Sequence, residues 1–119
     1  MKYKIIKQNK HEIELEEITD TIQEIPSKKL RWGEVSSKVM NWNDAKLWCE
    51  KQGGRLPTLV ELLQAFEDGT GGFKDDVYWS ATTYKYDTAF AWRVNFNFGF
   101  VNGNNRSTYL FYARCVREL

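Results

Sequence analysis

The run Gly54-Arg55-Leu56-Pro57-Thr58-Leu59-Val60-Glu61-Leu62-Leu63 separates two helices and starts the second. Pro57 biases Leu56 toward extended backbone, so no helix passes through it. Thr58 followed three residues later by Glu61 forms a capping box, and Leu62, Leu63, Ala65 and Phe66 supply the apolar stripe behind it. The pattern predicts a helix over 59–67. Upstream, Gly53-Gly54 closes an earlier helix over 43–52, with Asn41 or Asn43 as its cap and Ala45, Leu47, Trp48 and Cys49 as its buried stripe. Arg55 lies at the junction, where its guanidinium could satisfy helix-end carbonyls, and it reads as a structural brace. Downstream, Gly69, Gly71 and Gly72 punctuate a loop, and every later segment reads as strand: 77–82, 89–96, 98–102 and 110–117. Alternation along Asn95-Phe96-Asn97-Phe98 directs both phenylalanines inward, and Asn102-Gly103 reads as a hairpin turn. Lys29 to Gly33 is a short extended piece. Before it, Tyr3, Ile5 and Lys7, then His11, Ile13, Leu15 and Glu17, alternate around Gln8-Asn9-Lys10, the signature of a β-hairpin over residues 1–29. That hairpin could extend a sheet or support a homo-oligomer.

The 119 residues fit one ordinary domain, and 42% hydrophobic with 15% aromatic residues is too much apolar payload for a disordered chain. Seventeen Lys+Arg against 16 Asp+Glu leave a formal charge of +1, which gives no basis for nucleic-acid binding. Residues 1–30 and 31–119 are each balanced in charge, whereas all aromatics except Tyr3 lie from Trp32 onward. No run is apolar enough for membrane insertion or a signal peptide, so the expectation is a cytoplasmic or virion-associated protein. His11 is the single histidine, which removes multi-histidine metal sites, and no phosphate-cradling loop or nucleophile elbow is present. Asp75, Asp76 and Asp87 read as solvated turn residues. No metal and no cofactor is expected, nor a catalytic residue.

Six blocks together resemble one known family. They are Met40-Asn41-Trp42-Asn43-Asp44-Ala45, Trp48-Cys49, Gly54-Arg55-Leu56-Pro57-Thr58 with Glu61-Leu62, Tyr78-Trp79-Ser80-Ala81-Thr82-Thr83, Ala91-Trp92-Arg93-Val94-Asn95-Phe96 and Arg114-Cys115-Val116-Arg117. In this order, over residues 30–119, they look like the Lcl C-terminal domain family, which is similar to C-type lectin-like domains. The resemblance implies an α+β fold: two helices packed on a small twisted antiparallel sheet, with ligand contacts on long loops and late strands. Read from the residues, Arg55, Trp79 and Trp92 are structural, and Trp42 and Trp48 are core with them, since each tryptophan lies in a patterned element and carries a large burial gain. The resemblance also pairs Cys49 with Cys115, a loop of about 66 residues worth roughly 4 kcal/mol. A reducing compartment would leave the two thiols open, so both states stand at this point. The sulfated glycosaminoglycans bound by the adhesin that names the family fit poorly with a near-neutral chain. The calcium triplets of true C-type lectins are absent before the last strand.

The most suggestive surface mixes rigid aromatics with Asn, Ser and Arg late in the chain. Tyr84, Tyr86, Asn104, Arg106 and Tyr109 are the candidate ligand-binding residues, with Arg106 as anchor for an acidic group. The leading expectation is a non-enzymatic module that recognises a protein or glycan surface. The alternative is an intracellular phage or mobile-element product that blocks a host defence complex. An oxidase resembling the formylglycine-generating enzymes, working through Cys49 and Cys115, is the third.

Overall fold

The computed structural model describes residues 29–119, and the hairpin expected over residues 1–29 lies, but for Lys29, outside them. Residues 31–117 form one compact unit. The elements of the described residues, with their end residues, are β1 (Leu30–Val35), α1 (Trp42–Lys51), α2 (Leu59–Asp68), β2 (Val77–Thr83), β3 (Phe90–Asn95), β4 (Phe100–Asn105) and β5 (Arg114–Glu118). The order is α+β, with two helices ahead of an antiparallel sheet.

Both helices start where local chemistry provides a cap. Asn41 Oδ1 accepts the Asp44 amide at 2.9 Å and opens α1. The α2 capping box is complete: Thr58 Oγ1 accepts the Glu61 amide at 3.1 Å, and Glu61 Oε1 accepts the Thr58 amide at 2.8 Å. Gly69, at φ 68°, ends α2 in the left-handed region that favours glycine. Along α1 the buried positions are Trp42, Ala45 and Cys49, spaced for one helical face. Leu47 is off that face and 53% exposed, which corrects its placement in the stripe.

Strands β2, β3 and β4 form one sheet in that order, and β1 pairs with β5 in a second. The β1/β5 side continues antiparallel beyond the strands: Ser36 donates to the Ala113 carbonyl at 2.8 Å, and Met40 and Phe111 exchange bonds of 2.9 and 3.0 Å. Tyr112 then joins the two sheets, donating to Val77 at 3.0 Å and accepting from Trp79 at 3.1 Å. Arg55 and Val116 exchange a further pair of backbone bonds, at 3.0 and 2.9 Å, which tie the interhelical junction to β5.

Register assigns side chains to the two faces of the β2-β3-β4 sheet. Tyr78 opposes Val94 and Trp92 opposes Gly103 on one face; Trp79 opposes Arg93 and Ala91 opposes Asn104 on the other. Each face carries its own core. Leu62 and Ala65 of α2 meet Tyr78, Val94 and Phe96 on the first. Trp42, Ala45 and Cys49 of α1 meet Trp79, Ala91, Ala113 and Cys115 on the second. Cys49 and Cys115 are bridged there, with Cα atoms 5.4 Å apart, so the disulfide joins α1 to β5.

The late strands differ from their expected bounds. The β3–β4 hairpin turns between Phe96 and Gly99, where Asn95 accepts the Asn97 amide on its side chain and the Gly99 amide on its carbonyl. That turn interrupts the alternation, so Phe96 is buried while Phe98 is 65% exposed. Asn102-Gly103 is no turn: both residues pair with β3, opposite Arg93 and Trp92.

Candidate functional site

The five sequence candidates separate onto different parts of the sheet. Tyr84 follows β2 and lays its ring beside Phe90 (centroids 5.6 Å) and Trp92 (4.5 Å). It occupies the space a side chain on Gly103 would need. Tyr84, Trp92 and Gly103 thus share the α2 face. Asn104 lies on the opposite face, where its Oδ1 accepts from Arg93 Nε at 2.8 Å. Tyr109 lies beyond β4, 48% exposed, stacked on Phe111 at 6.0 Å. Tyr86 projects from the β2–β3 loop, 90% exposed, with Lys85 Nζ 5.3 Å from its ring centroid.

Arg106 is held within the fold. Its Nη1 donates to the Thr88 carbonyl at 2.7 Å, Nη2 donates to Asn43 Oδ1 at 2.8 Å, and the guanidinium sits 4.2 Å from the Trp42 ring. Trp42 in turn donates its amide to the Arg106 carbonyl and its indole N–H to the Ser80 carbonyl. Arg106 clamps the start of α1 to the β2–β3 loop, so its two terminal nitrogens already have acceptors.

Two residues that sequence reasoning did not select connect two that it did. Arg93 bonds Asn104 and lies 5.6 Å from the Phe111 ring, and Phe111 stacks on Tyr109. Asn104, Arg93, Phe111 and Tyr109 form a continuous half-exposed surface next to the disulfide-bearing core. Trp79 packs edge-on against Phe111 at 4.8 Å and donates to the Met40 carbonyl at 2.9 Å, which supports this surface from beneath. Arg93 stood within a quoted block, but only cross-strand register shows which face it takes.

Arg55 forks onto the Glu61 carboxylate, with Nη1 to Oε1 at 2.8 Å and Nη2 to Oε2 at 2.9 Å. Nη1 also donates to the Leu56 carbonyl at 3.2 Å. The partner is therefore mainly a carboxylate in the next helix. Burial alone pushes the Glu61 carboxyl up, but hydrogen bonds from Arg55 and the Thr58 amide, with the guanidinium charge, together hold it below its ordinary value. Burial also raises the Tyr78 phenol, which keeps it protonated while its oxygen accepts the Lys74 amide at 2.7 Å. Asp76 and Asp87 serve turns, accepting the Val77 and Ala89 amides on their side chains.

Two helices, antiparallel sheets and a buried crosslink define a small α+β domain whose late strands carry a mixed aromatic and polar surface. The chain belongs to the Lcl C-terminal domain family, whose profile matches residues 18–117. No curated protein matches the chain.

Proposed function

We propose that this chain is a non-enzymatic binding module of C-type lectin-like architecture that engages a protein or glycan surface through its late strands. The observation that carries the reading is the Asn104, Arg93, Phe111 and Tyr109 surface: rigid aromatic area beside adaptable amide and guanidinium donors. Its rigidity comes from below, where Trp79 and the Cys49–Cys115 bridge hold the supporting strands. Tyr86, fully projected from its loop, adds an outlying aromatic contact. The architecture supports a lectin-like assignment because the late strands and the short connections between β2 and β5 carry the exposed groups while the helices and bridge stay in the frame.

The bridge favours an exported or surface-displayed module over an intracellular inhibitor, since disulfides persist in oxidising compartments. Both cysteines are buried among apolar side chains, which weighs against a thiol active site of the oxidase kind. No described helix is long and apolar enough to cross a membrane.

The test is binding of the oxidised protein to glycan arrays and to intact cells, with Tyr109→Ala and Arg93→Ala as variants. The expected result is retained thermal stability for Tyr109→Ala and at least a tenfold loss of binding for each, roughly 1.4 kcal/mol or more. Recovery of a stoichiometric cytosolic partner unaffected by either variant would instead establish the intracellular reading.

A further inference from the structure

Arg114 is the most deeply buried cation among the described residues, 9% exposed at the first position of β5. Its Nε donates to the Gly33 carbonyl at 2.6 Å and its Nη1 to the Gly71 carbonyl at 2.8 Å. The guanidinium lies 4.5 Å from the Phe73 ring and 5.5 Å from that of Trp32. These neighbours are carbonyls and ring faces; no described carboxylate forms an ion pair with it. Burial pulls its pKa down, while the Tyr78 phenol and the Glu34 carboxylate act the other way through space. It remains protonated, because no protein environment deprotonates a guanidinium at ordinary pH.

The third nitrogen, Nη2, has no acceptor among the described residues. Among the described residues the one polar side-chain atom both sealed from solvent and unbonded is Arg106 Nε, so Arg114 Nη2 reaches solvent. It does so in a groove of about 450 Å³ between β1 and the loop before β2, lined by Trp32, Glu34, Gly72, Lys74 and Arg114 among others. Gly72 makes this possible: at φ 92°, its missing side chain would fall 2.7 Å from Nη2. Lys74 adds a second cation, its Nζ 4.2 Å from the Tyr112 ring.

We propose that this groove is a binding site for a single compact oxyanion, a carboxylate or a phosphate monoester, borne on a ligand with an aromatic or apolar body. Arg114 Nη2 donates to the oxyanion, Lys74 supplies the second charge, and the Trp32 indole provides the wall for the apolar part. Glu34 on the opposite rim leaves the groove with one net positive charge, which suits one anionic group and opposes a polyanion. The site is separate from the late-strand surface and does not depend on the function assigned to it.

The test uses benzoate and phenyl phosphate as probes and benzyl alcohol as neutral control, followed by the amide and indole N–H resonances of the oxidised full chain. Both Lys74→Gln and Glu34→Gln change exposed side chains, so the fold is expected to survive. The expected result is saturable movement of the Trp32 indole and the Gly33 and Gly72 amides with either anion and none with the alcohol. Lys74→Gln weakens that binding about threefold or more, and Glu34→Gln tightens it by a similar factor. The anion that saturates at lower concentration identifies the group the site prefers. Non-saturating shifts spread over the surface, or affinities indifferent to both variants, would overturn the proposal and leave Arg114 as an internal brace.

Discussion

Gly103 is a place where one missing methyl group sets the position of a neighbour. An Asn-Gly pair is the standard cue for a tight hairpin, yet here both residues lie in the middle of β4. The glycine is needed because the far end of the Tyr84 ring rests against its Cα, sandwiched with Phe90 and Trp92. Gly103→Ala should therefore displace the tyrosine rather than strain the backbone. Expected is a loss of about 1 kcal/mol in urea unfolding, the size of an aromatic packing interaction. In a Tyr84→Ala background the same change should cost almost nothing, because the space is already vacated. Equal costs in the two backgrounds would rule out the packing explanation. Arg106 makes the complementary point: its sequence neighbourhood of Asn, Ser and Tyr resembles a recognition loop, but its acceptors come from residues 43 and 88. Contacts so remote leave no trace in local composition.

The start of α2 joins several elements through one carboxylate. Glu61 closes the capping box, receives the Arg55 fork, and sits beside Leu59, whose amide donates to Thr82 Oγ1 of β2 at 2.9 Å. Because the folded carboxyl lies below its ordinary value of 4.5, its contribution is complete above that pH and is lost as pH falls through the folded value. Glu61→Gln keeps an oxygen for the Thr58 amide but removes the charge that Arg55 engages. It should cost about 1–2 kcal/mol near neutrality, with the difference from wild type closing in acid below about pH 4.5. Unfolding curves taken across that range decide the matter; a gap independent of pH would mean the charge is not what matters. This junction was legible in sequence because caps and prolines act within a few residues, and both helices fall within one residue of their expected bounds. The β3–β4 hairpin was not, because the Asn95 side chain and carbonyl build a turn inside what reads as continuous alternation. Likewise, Asn104 and Tyr109 stood out by composition, while Arg93 and Phe111 needed the cross-strand register that connects them.

At the scale of the whole molecule, the central sheet separates two cores that are secured differently. The α2 face is held by noncovalent packing: Phe73 stacks on Phe96 at 4.0 Å, Tyr78 meets both edge-on, and Leu62, Ala65 and Val94 fill in around them. The α1 face packs Trp42, Trp79 and Leu56 around Ala45, Ala91 and Ala113, and it also carries the Cys49–Cys115 bridge. Of the two faces this one alone has a covalent crosslink, so it is the one that loses a constraint on reduction. The bridge spans a sequence separation of 66, for which loop-closure arguments give roughly 4 kcal/mol. Reduction should consequently loosen the molecule unevenly. Amide exchange with and without reductant should show protection falling first in α1 and β5, while α2 and the Tyr78–Val94 register keep theirs until global unfolding. Because Phe111 leads into β5, packs against the α1-face core and carries Tyr109 and Arg93 against it, the late-strand surface should lose its order with the α1 face. Uniform loss of protection would show instead that the two cores unfold as one unit. An uneven loss would make the redox state of one buried pair the condition on which the late-strand surface keeps its order, although neither sulfur lies in it.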